Sequence, residues 1–340
     1  RDIMQCRRLR QDECVYVYKE DTDIVWALAY VDDILLVGST ERIINNFKRK
    51  LKGKFETKDF GQIKNFLNME FTISQDSITI KQTAFIESIL KEFNMDSCKP
   101  MTTPWTTGVK LERVTKTEGD FPYRQLMGKL NYLATHTRPD IAATVSLLSA
   151  HNQCFDETHW QAAKRLLRYL KGTKDLGIRF EDTQELQLAV YTDASFAQEH
   201  DKKSREGCAI FLCNGPLYWR SKRQTTTATS TAEAEYMAAH SGATKGVVLR
   251  ELINELLILP ELKPLVYCDN QPAIANVING NAQRGQHHTL IKFYALREMY
   301  ERNQVDIVYC PTDDMTADVL TKPLPRDAHE RHMRKLCFSA

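Results

Sequence analysis

Apolar and polar residues alternate in the stretch from Leu186 to Asp193, with Leu186, Leu188 and Val190 at every second position. Side chains two residues apart on a strand point to the same face of its sheet, so the pattern predicts a strand with one buried face. The predicted strand ends at Asp193. A carboxylate at the end of a core strand is held in place by the sheet, and Asp193 is therefore the first candidate functional residue.

The C-terminal part continues as strands first and then as alternating strands and helices. Ser230 and Glu233 have the spacing of a capping box, which predicts that a long helix begins there. The other predicted elements are strands at 207–212 and 217–219, a strand at 265–268, helices at about 271–279 and 290–303, a strand at 305–309, and a last helix that holds Asp318. This order is typical of a mixed sheet flanked by helices.

Three more acids stand where a predicted element begins or ends, namely Glu235, Asp269 and Asp318. With Asp193 they could converge on one site, at a cost in charge repulsion unless cations lie between them. Clusters of this kind hold two divalent metal ions against a phosphodiester, so the pattern indicates a nuclease. A single acid is usually a surface carboxylate, and the prediction rests on the set of four.

Two strand-like runs at 25–31 and 34–38 predict a hairpin near the N-terminus, with Asp32 and Asp33 at its tip. Aspartate is common in turns for structural reasons, but two adjacent carboxylates are also candidates for a second metal site. The residues between Arg42 and Lys54 are rich in lysine and arginine. This run fits a solvated helix face and phosphate contacts equally well.

The middle of the chain is predicted to be helical after a boundary rich in proline and threonine at 99–120. A helix is predicted from His159 to Gly172, with an apolar stripe of Ala163, Leu166, Leu167 and Leu170. Its opposite face carries Lys164, Arg168 and Lys171. A basic face is usually only solvated, but beside a nuclease domain it is a candidate for binding the phosphate backbone.

Composition sets broad limits on the function. The chain has 340 residues, of which 42% are hydrophobic and 26% charged, and this is enough for two or three globular domains. A net charge of +2 does not by itself indicate a nucleic-acid partner. The 9 cysteines have neither zinc-site nor disulfide spacing. The sequence predicts no membrane span, because no apolar run is long enough.

Several strings resemble the Pol proteins of Ty1/copia-type retrotransposons. Tyr30-Val31-Asp32-Asp33 resembles the active-site box of their reverse transcriptase, and 43–67 is similar to the segment that follows it. Residues 123–141 and 159–173 are similar to the connection region of the family. The strings at 219–224, 233–238 and 317–324 match the copia-type ribonuclease H domain. Matching the family motif identifies Glu235 rather than Glu233 as the metal-facing glutamate, because it directly precedes Tyr236.

The resemblance implies an α/β (α+β) chain with four parts. These are a partial reverse-transcriptase palm and thumb region at 1–110, a connection segment at 111–183, a ribonuclease H-like mixed sheet flanked by helices at 184–325, and a C-terminal tail at 326–340. It also implies two-metal hydrolysis of the RNA strand of RNA–DNA hybrids, coupled in the full polyprotein to RNA-directed DNA polymerisation. The catalytic and metal-binding residues that it implies are Asp193, Glu235, Asp269, Asp318, Asp32 and Asp33.

The implied cofactors are two Mg²⁺ ions, with Mn²⁺ as an alternative. The implied partners are an RNA–DNA hybrid, a DNA/RNA template-primer and the remainder of the Pol polyprotein, without a membrane. The implied location is the cytoplasm, in virus-like particles, with the nucleus as an alternative. Lys164, Arg168 and Lys171 are the candidate nucleic-acid-binding residues.

Two departures from the family pattern leave alternatives open. Leu67-Asn68 stands where the family usually has Leu-Gly, and His287 and His288 stand where it usually has a single histidine. A decayed or co-opted copy that binds nucleic acid without cutting it is therefore the second interpretation. Adjacent histidines are often surface residues, and no direct role is predicted for these two. An integrase-type nuclease is disfavoured because its acids follow a different pattern.

A polymerase palm also needs a metal-binding aspartate on a strand before the hairpin. Asp12, Asp21 and Asp23 precede it here, all in polar and turn-like surroundings. Because the chain starts in mid-pattern, we interpret it as a piece of a larger polyprotein in which Asp32 and Asp33 form an incomplete polymerase site. The chain alone is expected to extend no primer.

Overall fold

The computed structural model describes residues 5–183, 186–199, 201–257, 262–280 and 287–339. These residues form two compact units. Unit 1 contains Arg1–Lys64 and Val248–Leu262, and unit 2 contains Asn65–Val247 and Lys263–Ala340. Within the described part of the chain, every helix is too short or too polar to cross a lipid bilayer. The four parts predicted from the sequence, and the boundaries between them, stay a prediction.

Unit 1 is built on a four-stranded antiparallel sheet in the order β1-β2-β3-β4. Its elements are β1 (Arg7–Arg8), β2 (Val15–Glu20), β3 (Asp23–Tyr30), β4 (Asp33–Gly38) and α1 (Glu41–Lys52). α1 buries Ile43 and Phe47 against Val25 on one side of the sheet. Leu252 and Leu256, from the second segment of the unit, pack against a separate apolar cluster on β2. The hairpin predicted at 25–38 is confirmed as β3 and β4.

Unit 2 contains two five-stranded sheets with helices around them. Its strands are β5 (Asn65–Phe66), β6 (Met69–Ile73), β7 (Ser77–Lys81), β8 (Leu176–Glu181), β9 (Ala189–Ser195), β10 (Arg205–Leu212), β11 (Gly215–Arg223), β12 (Leu265–Cys268), β13 (Asp306–Tyr309) and β14 (Phe338–Ser339). Its helices are α2 (Thr83–Glu92), α3 (Tyr123–His136), α4 (Ala142–Ser149), α5 (Glu157–Gly172), α6 (Thr231–Leu257), α7 (Gln271–Asn279), α8 (His287–Glu301) and α9 (Arg326–Leu336). The residues of α6 from Val248 onward belong to unit 1.

The second sheet of unit 2 is mixed, with the strand order β11-β10-β9-β12-β13. β9, β10 and β11 form an antiparallel meander, and β12 runs parallel to both β9 and β13. Three antiparallel strands followed by two parallel ones give the mixed sheet with helices that the sequence predicted. The α+β fold class is therefore confirmed.

The other sheet is antiparallel, with the order β14-β8-β7-β6-β5. Beside it, α2 to α5 share one apolar core. α5 contributes Ala163, Leu166, Leu167 and Leu170, all with no exposed surface. The apolar stripe predicted for this helix is thus confirmed, and its burial anchors α5 within unit 2.

Three predictions differ from the structure in detail. Asp318 was predicted to lie in the last helix, but it lies in a 3₁₀ turn at Thr316–Leu320. Leu186 is 37% exposed and precedes β9, whereas Leu188 and Val190 have no exposed surface, so its assignment to the buried face was wrong. Residues predicted as a C-terminal tail form α9 and β14. The spacing of apolar residues does not predict α9, because two of its three buried residues are the histidines His329 and His332.

The turn at Leu67-Asn68 joins β5 to β6. Both residues are left-handed, with φ of 51° and 58°. Two successive positive φ values are typical of the two-residue hairpin turn whose twist matches that of the strands, and asparagine adopts this conformation more readily than most residues. The hydroxyl of Tyr132 donates to the Leu67 carbonyl. Asn68 therefore occupies a left-handed position, a conformation that glycine also adopts readily.

A buried ion pair lies between α3 and α5. Arg138 and Asp140 have fully buried side chains and share two hydrogen bonds, Nε to Oδ1 at 2.9 Å and Nη2 to Oδ2 at 2.7 Å. Tyr169 on α5 donates to the same carboxylate at 2.7 Å and contacts His329 Nε2 at 3.0 Å. Burial opposes ionisation of Asp140, but the Arg138 guanidinium outweighs it, so the pKa of Asp140 is lowered. This network links α9 to the helical core.

Candidate active site

Asp193 lies near the end of β9, the central strand of the mixed sheet, and is 3% exposed. It stands opposite Gly207 on β10. A Cβ atom on Gly207 would come within 2.7 Å of the Ala317 carbonyl oxygen and of Thr321 Cγ2. Glycine at this position therefore lets the segment that carries Asp318 pack directly on the sheet beside Asp193.

Glu235 reaches the same place from the N-terminal end of α6. Ser230 caps this helix by accepting from the Glu233 amide at 3.2 Å, as predicted, whereas the Glu233 carboxylate accepts from the Thr229 amide rather than from that of Ser230. Gly242 lets α6 approach β9, since a Cβ there would lie 2.3 Å from Thr192 Cγ2. Close packing of α6 on the sheet brings the Glu235 carboxylate to the end of β9.

The contacts of Glu235 leave one of its oxygens free. Oε1 accepts a hydrogen bond from the Ala194 amide at 3.3 Å. Oε2 is buried and has no hydrogen-bond partner among the described residues. A buried carboxylate oxygen without a partner is costly, so this atom is poised for a ligand that the protein itself does not supply.

Asp269 follows β12 directly. Because β12 runs parallel to β9, the carboxyl ends of both strands lie at the same edge of the sheet. Asp269 accepts from Thr312 Oγ1 at 3.0 Å and is partly exposed. Ligand atoms of Glu235, Cys268 and Asp269 all lie within 4.8 Å of one another. The predicted convergence of Glu235 and Asp269 is therefore present in the geometry.

Asp318 lies in a 3₁₀ turn at Thr316–Leu320 and is 6% exposed. The next residues tie this turn to the site, since Lys322 Nζ lies 2.7 Å from Asp318 Oδ1 and Thr321 Oγ1 donates to Asp193 Oδ2. Thr321 and Lys322 were missed as site residues. Their positions three and four residues after Asp318, in a helical turn, were the available signal.

The acids perturb one another electrostatically. Burial, followed by the charge of Asp318, raises the pKa of Asp193 to about 7. Burial and then the charges of Asp193 and Asp269 hold the pKa of Glu235 well above its ordinary value. The site therefore carries a repulsion that positive charge would relieve.

This set of donors fits a hard divalent cation. Carboxylate oxygens are the ligands that such ions prefer, and Glu235 Oε2 is available to bind one. Cys268 was also missed by the sequence analysis, although it directly precedes Asp269. Burial raises the pKa of its thiol, and hard divalent cations prefer oxygen to sulfur, so the carboxylate oxygens are the better ligands.

We predict that the metal-free protein gains stability when Asp193 is replaced by asparagine. The carboxyl group has an ordinary pKa of 3.8 and a pKa of about 7 in the folded chain, so folding favours its protonated form. Its contribution to stability is full below about pH 4 and is lost as the pH rises through about 7. Asp193→Asn should therefore be more stable than the wild type by roughly 2–4 kcal/mol at about pH 8. Urea denaturation in EDTA measures this difference.

The gain should shrink towards zero near about pH 4, where the wild-type carboxyl is also neutral. Adding Mg²⁺ at the higher pH should stabilise the wild type more than the variant. A stability difference that is the same at both pH values would contradict the assignment of the raised pKa to Asp193.

Asp32 and Asp33 lie at the tip of the β3–β4 hairpin in unit 1, and both are exposed. Val31 beside them has a φ of 52°. Within the described residues, no third acid, histidine or cysteine joins them in a cluster with metal-ligand spacing. Asp23, considered as a third ligand in the sequence, instead binds Arg42 at 2.7 Å near the start of α1. The metal-binding role of Asp32 and Asp33 stays a prediction.

The basic face of α5 is partly used for contacts within unit 2. Arg168 Nε donates to the Lys99 carbonyl at 2.8 Å, and Lys171 Nζ to the Cys98 carbonyl at 2.7 Å. Lys164 lies 5.9 Å from the centre of the Trp160 ring. Their role in phosphate binding stays a prediction. The side chains of His287 and His288 lie outside the part that the structure describes.

Comparisons with known proteins give the family. A family model described as reverse transcriptase (RNA-dependent DNA polymerase) matches residues 4–107. The chain is 34% identical over 328 residues to the retrovirus-related Pol polyprotein from transposon RE1 of Arabidopsis thaliana, covering 96% of this chain and 22% of that protein. It is 33% identical over 331 residues to the Pol polyprotein from transposon TNT 1-94 of Nicotiana tabacum, covering 94% of this chain and 25% of that protein.

Among solved structures, the chain is similar to the N-terminal RNase H domain of a Mycobacterium tuberculosis protein, solved as a fusion with maltose-binding protein. The identity is 15%, the TM-score is 0.29, and the match covers 44% of this chain and 98% of that one. A reverse-transcriptase segment followed by a mixed sheet with an acidic edge defines a class of retroelement proteins. The chain belongs to the copia-type retrotransposon Pol polyproteins. It spans about a quarter of the length of the two relatives described here.

Proposed function

We propose that this chain carries the ribonuclease H activity of a copia-type Pol polyprotein, which hydrolyses the RNA strand of RNA–DNA hybrids. The observation that supports this most lies at one edge of the mixed sheet. Glu235 and Asp269 have metal-ligand spacing there, Asp193 and Asp318 interact with them electrostatically, and Glu235 Oε2 is buried and unpartnered within the described part of the chain. Two-metal sites that cut phosphodiesters use such a set of oxygen ligands.

The metal ligands would be Asp193, Glu235, Asp269 and Asp318. When bound, two Mg²⁺ ions, or Mn²⁺ in their place, would lower the pKa of a water molecule and neutralise charge on the leaving 3′-oxygen. Asp193 is the candidate bridging ligand because it interacts electrostatically with the other three acids. The Thr321 hydroxyl holds one oxygen of Asp193 and so fixes the orientation of this carboxylate.

The hybrid would be distinguished from duplex DNA by its 2′-hydroxyl groups and its shape rather than by its bases. Low sequence specificity is therefore expected. In the full polyprotein, Asp32 and Asp33 would serve RNA-directed DNA polymerisation on a template-primer, with further ligands from the rest of the palm. The remainder of the Pol polyprotein is thus a proposed partner.

A cleavage assay tests the proposed hydrolysis. The purified chain is incubated with a hybrid labelled on its RNA strand, in Mg²⁺, in Mn²⁺ and in EDTA, with the same RNA as a single strand and with duplex DNA as controls. Metal-dependent cutting of the hybrid alone is the expected result. Intact hybrid in both metals would overturn the proposal and favour a remnant that binds nucleic acid without cutting it.

The basic face of α5 is proposed to contact phosphates of the same substrate. Replacing Lys164, Arg168 and Lys171 together by glutamine should weaken hybrid binding equally for all sequences. The slope of log affinity against log salt should become shallower by up to roughly three contacts' worth. Fluorescence anisotropy over a salt series measures this. An unchanged slope would leave these three side chains only the contacts that they make within unit 2.

A further inference from the structure

Unit 2 contains an open cleft of about 670 Å³ beside the acidic site. Ser195, at the end of the strand that carries Asp193, and Thr321 both line it. Lys322, which pairs with Asp318, lines it as well. The cleft therefore leads to the carboxylates from one side.

The lining of the cleft is strongly basic. It includes one acid, Glu199, and six cationic side chains, which are Lys110, Arg113, Lys202, Arg205, Arg223 and Lys322. A concave surface lined by one sign of charge concentrates its field and attracts ligands of the opposite sign. The charge of the lining thus favours an anionic occupant.

Three of the six cations are already engaged. Arg205 is bound to Glu199 at 2.7 Å and is almost fully buried, Arg223 lies 2.9 Å from Asp201, and Lys322 binds Asp318. These ion pairs hold the three side chains in place and already balance their charges. The buried Arg205 also donates to Ser146 Oγ at 2.6 Å, which ties the start of β10 to α4.

The other three cations are free for a ligand. Lys110, Arg113 and Lys202 are exposed and form no ion pair with any residue that the structure describes. Three uncompensated positive charges facing one cleft repel one another, and phosphate groups would relieve this repulsion. They come from two walls, since Lys110 and Arg113 precede α3 and Lys202 lies between β9 and β10.

The wall that carries Lys110 and Arg113 is held in place by polar contacts. Trp105 is 5% exposed, and its Nε1 donates to the Val109 carbonyl at 3.1 Å. Thr103 Oγ1 donates to the Trp105 carbonyl at 3.0 Å and accepts from Arg165 Nη2 of α5 at 3.0 Å. This wall is formed by residues that precede the mixed sheet in the sequence. It lines the same cleft as Ser195, which lies at the end of β9.

We propose that this cleft binds the phosphate backbone of the RNA–DNA hybrid through Lys110, Arg113 and Lys202. The inference rests on the proposed hydrolysis for the identity of the ligand. It assigns part of the substrate-binding surface to the segment that precedes α3, outside the mixed sheet. Contacts to phosphates fix the position of a strand without reading its sequence, so this cleft would set where the hybrid lies relative to Asp193.

The test compares two triple variants of equal charge. Lys110→Gln/Arg113→Gln/Lys202→Gln removes the free cations of the cleft. Lys91→Gln/Lys99→Gln/Arg302→Gln removes three exposed cations of unit 2 that do not line it. Binding of a fluorescent hybrid is followed by anisotropy in EDTA, which prevents cutting, over about 50 to 200 mM salt. Circular dichroism checks that both variants are folded.

The cleft variant should bind the hybrid about 10- to 100-fold more weakly near 0.1 M salt. Its slope of log affinity against log salt should be shallower by up to about 2.7, since each of the three phosphate contacts contributes about 0.9. The control variant should stay within about twofold of the wild type. An unchanged slope in the cleft variant, or an equal loss in both variants, would overturn the proposal.

The outcome can be separated from that of the cleavage assay. If the wild-type chain cuts the hybrid and the cleft variant binds it normally, the proposed binding role of the cleft is wrong and the proposed hydrolysis is supported. A wild-type chain that cuts nothing while the cleft variant loses binding and slope refutes the hydrolysis and supports the cleft as a phosphate-binding site.

Discussion

Replacement of Asp193 by asparagine is expected to lower metal-dependent cleavage of the hybrid on the order of 10³-fold or more. The change removes one negative charge from a position that interacts with three other acids, while Thr321 can still donate to the amide oxygen. The fold should persist because the change relieves repulsion. Single-turnover cleavage at saturating protein measures the loss without interference from product release. Asp269→Asn should act in the same direction.

Asp313→Asn is the matched control for this experiment. Asp313 is an exposed acid of unit 2 whose partner is Arg331, 2.8 Å away, and it does not belong to the proposed set of ligands. Its cleavage rate should stay within about twofold of the parent, because a surface pair contributes little. If Asp193→Asn cut the hybrid at the parent rate in Mg²⁺, the assignment of the metal site would be wrong.

Replacement of Asp140 by asparagine should destabilise unit 2 by about 3–5 kcal/mol. The change leaves the Arg138 guanidinium fully buried without its counter-charge and weakens the hydrogen bond from Tyr169. An unpaired buried charge is among the most costly single changes in a folded protein. Urea denaturation at neutral pH, followed by circular dichroism, measures the loss.

Two comparisons separate the buried charge from other effects. Glu87→Gln, which breaks the exposed pair with Lys174, should cost less than about 1 kcal/mol. The double change Arg138→Met/Asp140→Leu removes both charges and should recover part of the loss, because it leaves no unpaired ion. A stability of Asp140→Asn within about 1 kcal/mol of the wild type would show that the pair does not hold the unit together.

Three of the four acids in the candidate site are located by local patterns in the sequence, and their catalytic role stays a prediction. Asp193 and Asp269 end apolar runs, and Glu235 follows a capping signal. Strand and helix periodicity report these positions without knowledge of the tertiary structure. The contact of Thr321 with Asp193 and the proximity of Cys268 to Glu235 depend instead on which strands and turns meet. Their closeness in the sequence to Asp318 and Asp269 was the available local signal.

The parts of unit 2 that were missed are polar where they are buried. α9 buries His329 and His332, and a search for apolar periodicity does not count histidine. The network of Arg138, Asp140 and Tyr169 is invisible for the same reason. Strongly polar residues indicate the surface in a sequence, and only the tertiary contacts show that these satisfy one another in the interior.

The departure at Asn68 illustrates how a local rule can mislead. The absence of glycine left a decayed or co-opted copy open as an interpretation, yet Asn68 has a φ of 58° in a two-residue turn. Asparagine tolerates this region because its short polar side chain can make local hydrogen bonds. The turn forms with asparagine in this position, so the backbone at Asn68 by itself gives no support to a decayed copy.

Unit 1 is formed by two segments that lie far apart in the sequence, and this affects when the unit can fold during synthesis. Trp26 Nε1 donates to the Leu256 carbonyl at 3.0 Å, and the Arg10 amide donates to Glu255 Oε1 at 2.9 Å, across 230 and 245 residues of sequence. The sheet of β1 to β4 emerges from the ribosome long before these partners exist. Its apolar cluster around Val15 and Val17 stays uncovered while all of the intervening chain is made. Unit 1 is thus expected to fold late, and a nascent chain stopped before Val248 should be bound by chaperones at this surface.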